Sequence, residues 1–166
     1  MVKDEITVSW WGQMDDWTAY KTGPMRAISC TEGGGWNFEP GGDYIRFACG
    51  TGTTSNTYKL ATATTSFTNL GSDWHMFTGT WNGLATKIYI DGILEGTNNA
   101  YTTKTPIFYN SSNGIFIGAE AGGSDLSPDG GNRYAGKMSD VRIYARALNE
   151  DEVLDLYRTS ASIDNQ

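Results

Sequence analysis

Two polar segments of the chain, 12–24 and 120–134, combine aromatic side chains with hydrogen-bonding side chains. The candidates for ligand contact are Trp17 and Tyr20 in the first segment and Asp125, Asn132, Arg133 and Tyr134 in the second. An aromatic ring packs against the apolar face of a pyranose, while carboxylate, amide and guanidinium groups bond its hydroxyls. We therefore predict that these residues bind a sugar from loops held by a rigid scaffold. An equally good interpretation of Trp17 is that it folds over an open sheet edge.

Patterns that would support catalysis are weak. Glycoside hydrolysis uses two carboxylates that flank the scissile bond. The adjacent acidic residues fall instead at the amino terminus (Asp4-Glu5), in a loop (Asp15-Asp16) and at a predicted helix start (150–152). His75 has no serine or cysteine placed beside it, and we expect it to pack beside Trp74 or to cap a strand. We predict that the protein is not an enzyme.

Charge and hydropathy exclude two classes of partner. Among 166 residues there are 12 Lys and Arg against 19 Asp and Glu, a net charge of -7. The basic surface that neutralises phosphates is missing, so we predict no nucleic acid partner. No run of about 18 apolar residues occurs, so we predict no membrane insertion. The first residues lack the apolar centre of a signal peptide, but a piece of a secreted protein would lack it too.

The two cysteines, Cys30 and Cys49, each end a predicted strand, and a third candidate strand, 36–39, lies between them. In a meander of these strands the cysteines would be two strands apart, roughly 9–10 Å, beyond the usual disulfide Cα separation of about 7 Å. We predict two free, half-buried thiols. Two cysteines and one histidine without close spacing also disfavour a zinc site.

The chain reads as short β-strands separated by turns. Residues 6–11 alternate between two faces that both end in Trp, which predicts a strand covered on both sides. A meander of three strands is predicted at 26–30, 36–39 and 44–49. Residues 50–71 are predicted to form a long connection with one weak strand.

Two hairpins are predicted in the middle of the chain. Asn82-Gly83 and Asp91-Gly92 are dipeptides that tolerate positive φ, and each separates two alternating segments. The segments 114–119 and 137–145 also read as strands. Between them, 120–134 is predicted to be the most polar loop of the chain.

A single helix is predicted near the carboxyl end. Asn149 and Glu152 have the spacing of a capping box, and Val153, Leu154 and Tyr157 form an apolar stripe. We expect one domain over 1–166, because a chain of this length buries enough surface for one core without metals or disulfides.

Five segments, in this order, resemble the laminin-G-like and concanavalin A-like lectin family, in its bacterial or viral branch. They are ITVSWWGQ, DWHMFTGTWNG, KIYIDG, GIFIGA and AGKMSDVRIYARALNEDEV. The resemblance implies an all-β fold, a two-sheet antiparallel jelly-roll sandwich with one short C-terminal helix. It also places Trp11, Trp74 and Trp81 at scaffold positions in the core, and it leaves the role of Trp36 open.

Members of this family usually carry one or two strands before the segment that begins here at Ile6. Either the chain is a trimmed piece of a longer protein, or its N-terminal sheet edge is open. Open edges are commonly covered by another chain or by a neighbouring domain. In the second case we expect a neighbouring chain at this edge.

The resemblance also implies a calcium site, because the fold often binds one ion through Asp carboxylates and loop carbonyls. Asp140 matches an acidic position of the family pattern, and Asp125 and Asp129 lie in the polar segment 120–134. Oxygen-only ligands favour Ca²⁺. The alternative is that Asp140 bonds nearby backbone and that the other acids are solvated.

Together these observations predict a non-catalytic recognition domain on an extracellular, cell or virion surface. Its expected partner is a carbohydrate or surface glycoprotein, bound through loop residues. The alternative is a structural or decoration protein of a larger assembly, such as a phage particle, without a ligand-binding role. Virion surface domains can do both, so the two interpretations do not exclude each other.

Overall fold

The computed structural model describes residues 4–21, 26–30, 33–52, 57–109, 114–122 and 127–161. The strands are β1 (Ile6–Gln13), β2 (Ile28–Cys30), β3 (Trp36–Gly41), β4 (Tyr44–Gly50), β5 (Tyr58–Ser66), β6 (His75–Trp81), β7 (Ala85–Ile90), β8 (Ile93–Asn99), β9 (Phe116–Ile117), β10 (Ala119–Gly122), β11 (Ser127–Arg133) and β12 (Lys137–Tyr144). The helices are α1 (Thr18–Lys21), α2 (Phe67–Leu70) and α3 (Glu150–Ala161). None of these helices is long and apolar enough to cross a bilayer.

Ten of the strands form two antiparallel five-stranded sheets. The first sheet has the order β12-β1-β6-β7-β8, the second has the order β5-β4-β3-β2-β9, and β10 and β11 form a separate ribbon. The meander β2-β3-β4 and the hairpins across Asn82-Gly83 and Asp91-Gly92 are confirmed. Asp91 and Gly92 both adopt positive φ, as a tight hairpin turn requires. The jelly-roll sandwich with one C-terminal helix is therefore confirmed.

The first strand does not itself form a sheet edge, and the neighbouring chain expected at an open edge stays a prediction. β1 pairs with β12 on one side and with β6 on the other, so among the described strands the edges of this sheet are β12 and β8. The β12 edge is irregular. Val141 and Asp140 together oppose Trp10 of β1, which makes a β-bulge, and Asp140 has a φ of 47°.

Aromatic side chains fill the core between the sheets. Trp10 of β1 stacks on Phe77 of β6, with ring centroids 4.7 Å apart, and meets the edge of Phe38 from the other sheet at 5.7 Å. Gly79 makes room for Phe47, because a Cβ at position 79 would lie 2.2 Å from that ring. The strands at the centre of each sheet therefore turn large apolar side chains inward.

The outer face of the first sheet is covered by α3. Trp11, which points away from the core, stacks on Tyr157 at 5.6 Å and donates from Nε1 to Ser160 Oγ at 3.1 Å. The predicted capping box begins this helix: Glu152 N donates to Asn149 Oδ1 at 3.0 Å, and Asn149 N donates to Glu152 Oε2 at 2.9 Å. Both faces of β1 are covered, as its two tryptophans predicted.

Two segments predicted as connections are strands. Residues 58–66 form β5, a nine-residue strand along β4, although their Thr-rich sequence predicted one weak strand in a long connection. Most of the polar segment 120–134 lies in the β10-β11 ribbon, although a loop was predicted there. Neither segment has large apolar residues at every second position, so their strand pairing is set by tertiary contacts instead.

The edge strand β5 is closed by side chains of the first sheet. The Glu95 carboxylate of β8 accepts hydrogen bonds from the backbone N and the hydroxyl of both Thr64 and Thr65, at 2.5–3.0 Å. Asn98 Nδ2 donates to Leu60 O at 2.9 Å. These bonds satisfy an edge that would otherwise expose unpaired backbone groups.

The predicted cysteine geometry is confirmed, with deeper burial than expected. Cys30 is opposite Trp36, and Trp36 is opposite Cys49, so Trp36 separates the two thiols in one cross-strand row. Neither cysteine forms a disulfide, and both are fully buried. Burial raises the pKa of Cys30 to about 11, and burial also raises the pKa of Cys49 well above its ordinary value. The open question about Trp36 is answered, because it belongs to the core.

Candidate functional site

Three of the aromatic residues predicted to bind ligand meet, but inside the core. Trp17, Tyr20 and Tyr134 are at most 9% exposed. Their ring centroids lie 5.9 to 6.4 Å from one another, and Trp17 also contacts Phe77 at 5.2 Å. The prediction that these rings face a ligand is therefore corrected. The two polar segments pack against each other through them, because apolar area is more stable buried than exposed.

Tyr20 positions two strands of the second sheet. Its hydroxyl donates to Phe38 O at 3.3 Å and accepts from Ala27 N at 3.2 Å. Complete burial raises the pKa of this phenol, which keeps the proton that the donation requires. Arg26 and Glu39 adjoin these two strand positions, so Tyr20 supports a charged cluster described below.

The remaining predicted contacts are only partly described by the structure. Arg133 is exposed at the end of β11, and its backbone bridges that of Arg26. Asn132 also lies in β11, but its side chain is outside the described part of the chain. Asp125 lies outside the described residues altogether. Of the six predicted contacts, Arg133 has the only described exposed side chain.

The predicted calcium ligands do not converge among the described side chains, which include no group of three that could hold a metal. Asp140 is exposed, and its Oδ1 accepts from Arg142 Nε at 2.7 Å. This guanidinium places a positive charge where a cation would bind. Asp129 lies in β11 with its side chain outside the described part, as is all of Asp125. The calcium site stays a prediction.

Three tryptophans were predicted to lie in the core, and the prediction is confirmed for two of them and wrong for one. Trp11 and Trp81 are buried, whereas Trp74 is 38% exposed. Trp74 directly precedes β6, so no strand alternation turns it inward. His75 bonds Asp91 instead of packing on Trp74, with Nδ1 2.7 Å from Oδ2.

The strongest candidate for a binding site is the outer face of the second sheet. Trp36 and Phe38 of β3 point into the core, so Asn37 and Glu39 point to the opposite side. On β4, Arg46 lies directly opposite Glu39. We call this surface the polar face; it comprises Arg26, Ser29, Asn37, Glu39, Tyr44 and Arg46.

A clamped carboxylate lies at the centre of the polar face. Glu39 Oε2 lies 3.1 Å from an Arg26 nitrogen, and Glu39 Oε1 lies 2.6 Å from an Arg46 nitrogen. The same Arg46 group donates to Pro40 O at 3.1 Å. The Glu39 side chain is only 12% exposed, so its charge is held in one position by two guanidinium groups.

Gly41 allows Arg46 to adopt this position. A Cβ at residue 41 would lie 2.4 Å from both Cδ and Nε of Arg46. The Arg46 side chain therefore crosses β3 over a residue without a side chain. A larger residue at position 41 would push the guanidinium away from Glu39.

Asn37 contributes an unsatisfied acceptor. Its side chain is 6% exposed, and no group in the described part of the chain donates to its Oδ1. The cross-strand neighbours of Asn37 are Ser29 and Ala48. The hydroxyl of Ser29 already donates to Ala119 O at 3.1 Å, at the start of the ribbon. A buried oxygen without a donor is uncommon and costly.

Tyr44 completes the polar face with an aromatic ring. It is 38% exposed at the start of β4, opposite Gly41 and Ser66. The face thus offers a ring, a carboxylate, guanidinium groups and an amide within a few residues of one another. The alternation of Asn37 and Glu39 with the core aromatics of β3 was the one signal of this surface in the sequence.

Comparison of the chain with protein families identifies the superfamily to which this architecture belongs. Residues 1–154 match the model of the concanavalin A-like lectin/glucanases superfamily. The chain belongs to this superfamily. No curated protein matches the sequence of this lectin-like chain.

Solved structures with the same fold include the binding domains of several toxins. The binding domain of botulinum neurotoxin serotype C1 matches with a TM-score of 0.61 at 19% identity, over 94% of this chain and 36% of that one. The binding domain of Paraclostridial Mosquitocidal Protein 1 matches with a TM-score of 0.65 at 16% identity, over 96% and 38%. The binding domain of botulinum neurotoxin DC, in complex with SialylT, gives 0.64 at 17% identity, over 94% and 36%. The chain thus spans little more than a third of the length of each of these solved chains.

Proposed function

We propose that this lectin-like chain is a non-catalytic glycan-recognition domain of an extracellular, cell or virion surface. We further propose that it binds sugar through the polar face instead of the predicted loops. The observation that carries the proposal is the Glu39 carboxylate, whose oxygens are held by Arg26 and Arg46 beside the exposed ring of Tyr44. A sugar hydroxyl can donate to such an oxygen and accept from a neighbouring guanidinium.

The geometry of the polar face suits a preorganised sugar site. Glu39 and Arg46 are held by ion pairs and by Pro40 O, so little side-chain entropy is lost when a ligand binds. Tyr44 supplies a ring for the apolar face of a pyranose.

Relatives of known structure support a binding role. Botulinum neurotoxin DC was solved with SialylT, and cell entry of botulinum neurotoxin type C depends on interaction with two ganglioside molecules. Another complex of neurotoxin DC contains rat synaptotagmin II. At 17% identity these structures share the fold with this chain, so glycan and glycoprotein partners are part of the proposal.

The charged groups of the polar face argue against hydrolysis. A glycosidase needs an acid and a second carboxylate that acts as base or nucleophile. Within the described part of this face Glu39 is the only carboxylate, and two arginines hold it. We therefore include the absence of catalysis in the proposal.

A glycan array followed by calorimetric titration tests the proposal. We expect Tyr44→Ala and Arg46→Ala each to weaken binding by about tenfold or more, equivalent to about 1.4 kcal/mol. Arg158→Ala is the matched control, because this exposed arginine lies on α3, away from the polar face. Equal binding by all three variants would contradict the assignment of the site.

The same titration also tests the predicted calcium site and the alternative of a structural role in an assembly. Repeating it with and without Ca²⁺ tests whether Asp140, Asp125 and Asp129 hold an ion that the ligand requires. A protein that binds no glycan under either condition would contradict the recognition proposal and favour the structural role in an assembly.

A further inference from the structure

A β-bulge in β8 aims the side chain of Glu95 at the other sheet. Tyr89 is opposite Leu94 and Ile88 is opposite Gly96, so Glu95 is an extra residue with no counterpart on β7. A bulge of this kind bends the strand locally and redirects a side chain. The Glu95 carboxylate accordingly reaches the backbone of β5, at the edge of the second sheet.

A larger bulge lies in β5, beside the start of β4. Tyr44 is opposite Ser66, and Arg46 is opposite Thr62. Three residues, 63–65, lie between Thr62 and Ser66 on β5, but only one residue lies between Tyr44 and Arg46 on β4. This stretch of β5 therefore contains two residues more than the facing stretch of β4. Extra residues of this kind are left unpaired by the ladder, so their N–H groups need another acceptor.

The Glu95 carboxylate supplies that acceptor. Its Oε2 accepts from the backbone N of Thr64 at 3.0 Å and from that of Thr65 at 2.8 Å, and both threonine hydroxyls also donate to the carboxylate. The residue after Glu95 lets the two strands approach this closely. A Cβ at Gly96 would lie 2.1 Å from Thr62 O, so only a glycine fits beside β5 at this position.

The β5 bulge lies between the cross-strand partners of two polar-face residues. Arg46 pairs with β5 before the bulge, and Tyr44 pairs with it after the bulge. Directly beyond, Phe67 N at the start of α2 donates to Asp43 O, in the turn that leads into Tyr44, at 2.8 Å. The backbone that carries the Tyr44 ring is therefore held by residues whose position depends on the bulge.

Without Glu95, β5 has a regular alternative pairing. A shift by two residues would place Thr64 opposite Tyr44 and remove the bulge. Because strand side chains alternate with a period of two, this shift keeps each side chain on its present face of the sheet. The shift would also draw Ser66 and α2 away from Tyr44. The observed register is thus the one in which two backbone N–H groups donate to a carboxylate of the other sheet.

We propose that Glu95 is a positioning residue of the polar face. It holds the β5 bulge in place, and the bulge fixes the Tyr44 ring relative to the Arg46 guanidinium. A side chain of the first sheet thereby sets the geometry of a surface on the second sheet, without contacting what binds there. The effect on binding rests on the proposed function, whereas the position of the bulge does not.

Nuclear magnetic resonance of the isotope-labelled full chain tests the position of the bulge. In the wild-type protein we expect backbone nuclear Overhauser contacts between Tyr44 and Ser66. In Glu95→Ala we expect contacts between Tyr44 and Thr64 instead, and amide hydrogen exchange at residues 64 and 65 that is about tenfold faster or more. Glu95→Gln keeps one oxygen that can accept, so it should keep the wild-type contacts. Wild-type contacts in Glu95→Ala would overturn the proposal.

A second variant disturbs the same contact without changing the carboxylate. The methyl group of Gly96→Ala would meet Thr62 O and push β5 away from Glu95, so we expect the Tyr44 contacts to change as in Glu95→Ala. Val153→Ala is the matched control, because it removes buried volume beneath α3 and destabilises the fold elsewhere. Thermal unfolding checks that each variant is folded. A change of the Tyr44 contacts in Val153→Ala would mean that general loosening is responsible and would overturn the proposal.

The glycan array tests the consequence for the polar face. We expect Glu95→Ala to lose about tenfold or more of the signal on each glycan that Tyr44→Ala fails to bind, and we expect Val153→Ala to bind as the wild-type protein does. Undiminished signals in a folded Glu95→Ala protein would overturn the positioning role. An array without signal for the wild-type protein would contradict the proposed function, while the Tyr44 contacts would still decide whether Glu95 holds the bulge.

Discussion

His75 and Asp91 form an ion pair in which the histidine needs both of its ring protons. Nδ1 lies 2.7 Å from Asp91 Oδ2, and Nε2 lies 2.5 Å from Leu70 O. A carboxylate and a carbonyl oxygen are both acceptors, so the imidazole fits between them only as an imidazolium. The bond to Asp91 raises the pKa of His75 against the opposing effect of burial, and Leu70 O and the charge of Asp73 add to the increase.

This pair predicts that the protein loses stability as pH rises past neutrality. The pKa is higher in the folded state, so the stabilisation is complete below the unfolded value of about 6.5 and is lost as pH rises through the folded value. Melting temperatures measured from about pH 5 to about pH 9 should show this decline. His75 is the one histidine of the chain, so His75→Gln should remove it. A decline that persists in the variant would contradict the assignment.

We call the Glu95 carboxylate and the Thr64 and Thr65 groups that donate to it the Glu95 clamp. This clamp predicts that stability is lost at low pH. Burial would raise the pKa of Glu95, but the hydrogen bonds from Thr64 and Thr65 outweigh it and lower the pKa. The stabilisation is therefore present above the unfolded value of about 4.3 and is lost as pH falls through the folded value.

We expect Glu95→Gln to lower the free energy of unfolding by about 1–3 kcal/mol at neutral pH, because an amide nitrogen cannot accept the bonds that a carboxylate oxygen accepts. Denaturant titration measures the change. Asp151→Asn, which neutralises an exposed carboxylate on α3, is the control. An equal loss in both variants would show that the net charge of the protein, and not the clamp, is responsible.

Gly41→Ala should act on the polar face through Arg46. The added methyl group would lie 2.4 Å from the arginine side chain and displace its guanidinium from Glu39. We expect glycan affinity to fall about as far as in Arg46→Ala, and we expect the double variant to bind no more weakly than Arg46→Ala alone. Calorimetric titration of the three variants forms the cycle. Additive losses would mean that Gly41 acts independently of Arg46.

The thiols of Cys30 and Cys49 should be inert in the folded protein. Both are buried on either side of Trp36, and burial raises their pKa values, so little reactive thiolate is present at neutral pH. An aromatic disulfide reagent such as DTNB should react with two thiols in denaturant and with almost none in native buffer. Fast reaction of one thiol in native buffer would contradict the burial of that residue.

The strands and the helix could be predicted because their signals are local. Asp91-Gly92 needs positive φ for its turn, and Asn149 and Glu152 form their capping bonds within four residues. The separation of Cys30 and Cys49 followed from the meander in the same way. Each of these features depends on residues that are close in the sequence.

The proposed binding surface could not be predicted as well because burial is not local. Trp17, Tyr20 and Tyr134 lie in polar segments, yet they are buried because residues over 110 positions apart pack together. Glu39 and Arg46 lie in strands that were interpreted only as scaffold. Their ion pair requires the β3-β4 register, which sequence alternation allows but does not specify.

The bulge in β12 has a consequence for crowding at a surface. Exposed edge strands invite the edge of a second copy, and repeated pairing of this kind leads to aggregation. At Asp140 the strand bends away from a regular ladder, and Lys137 and Arg142 add charge along it. Copies of this chain can therefore lie close together at high concentration without joining their sheets through β12.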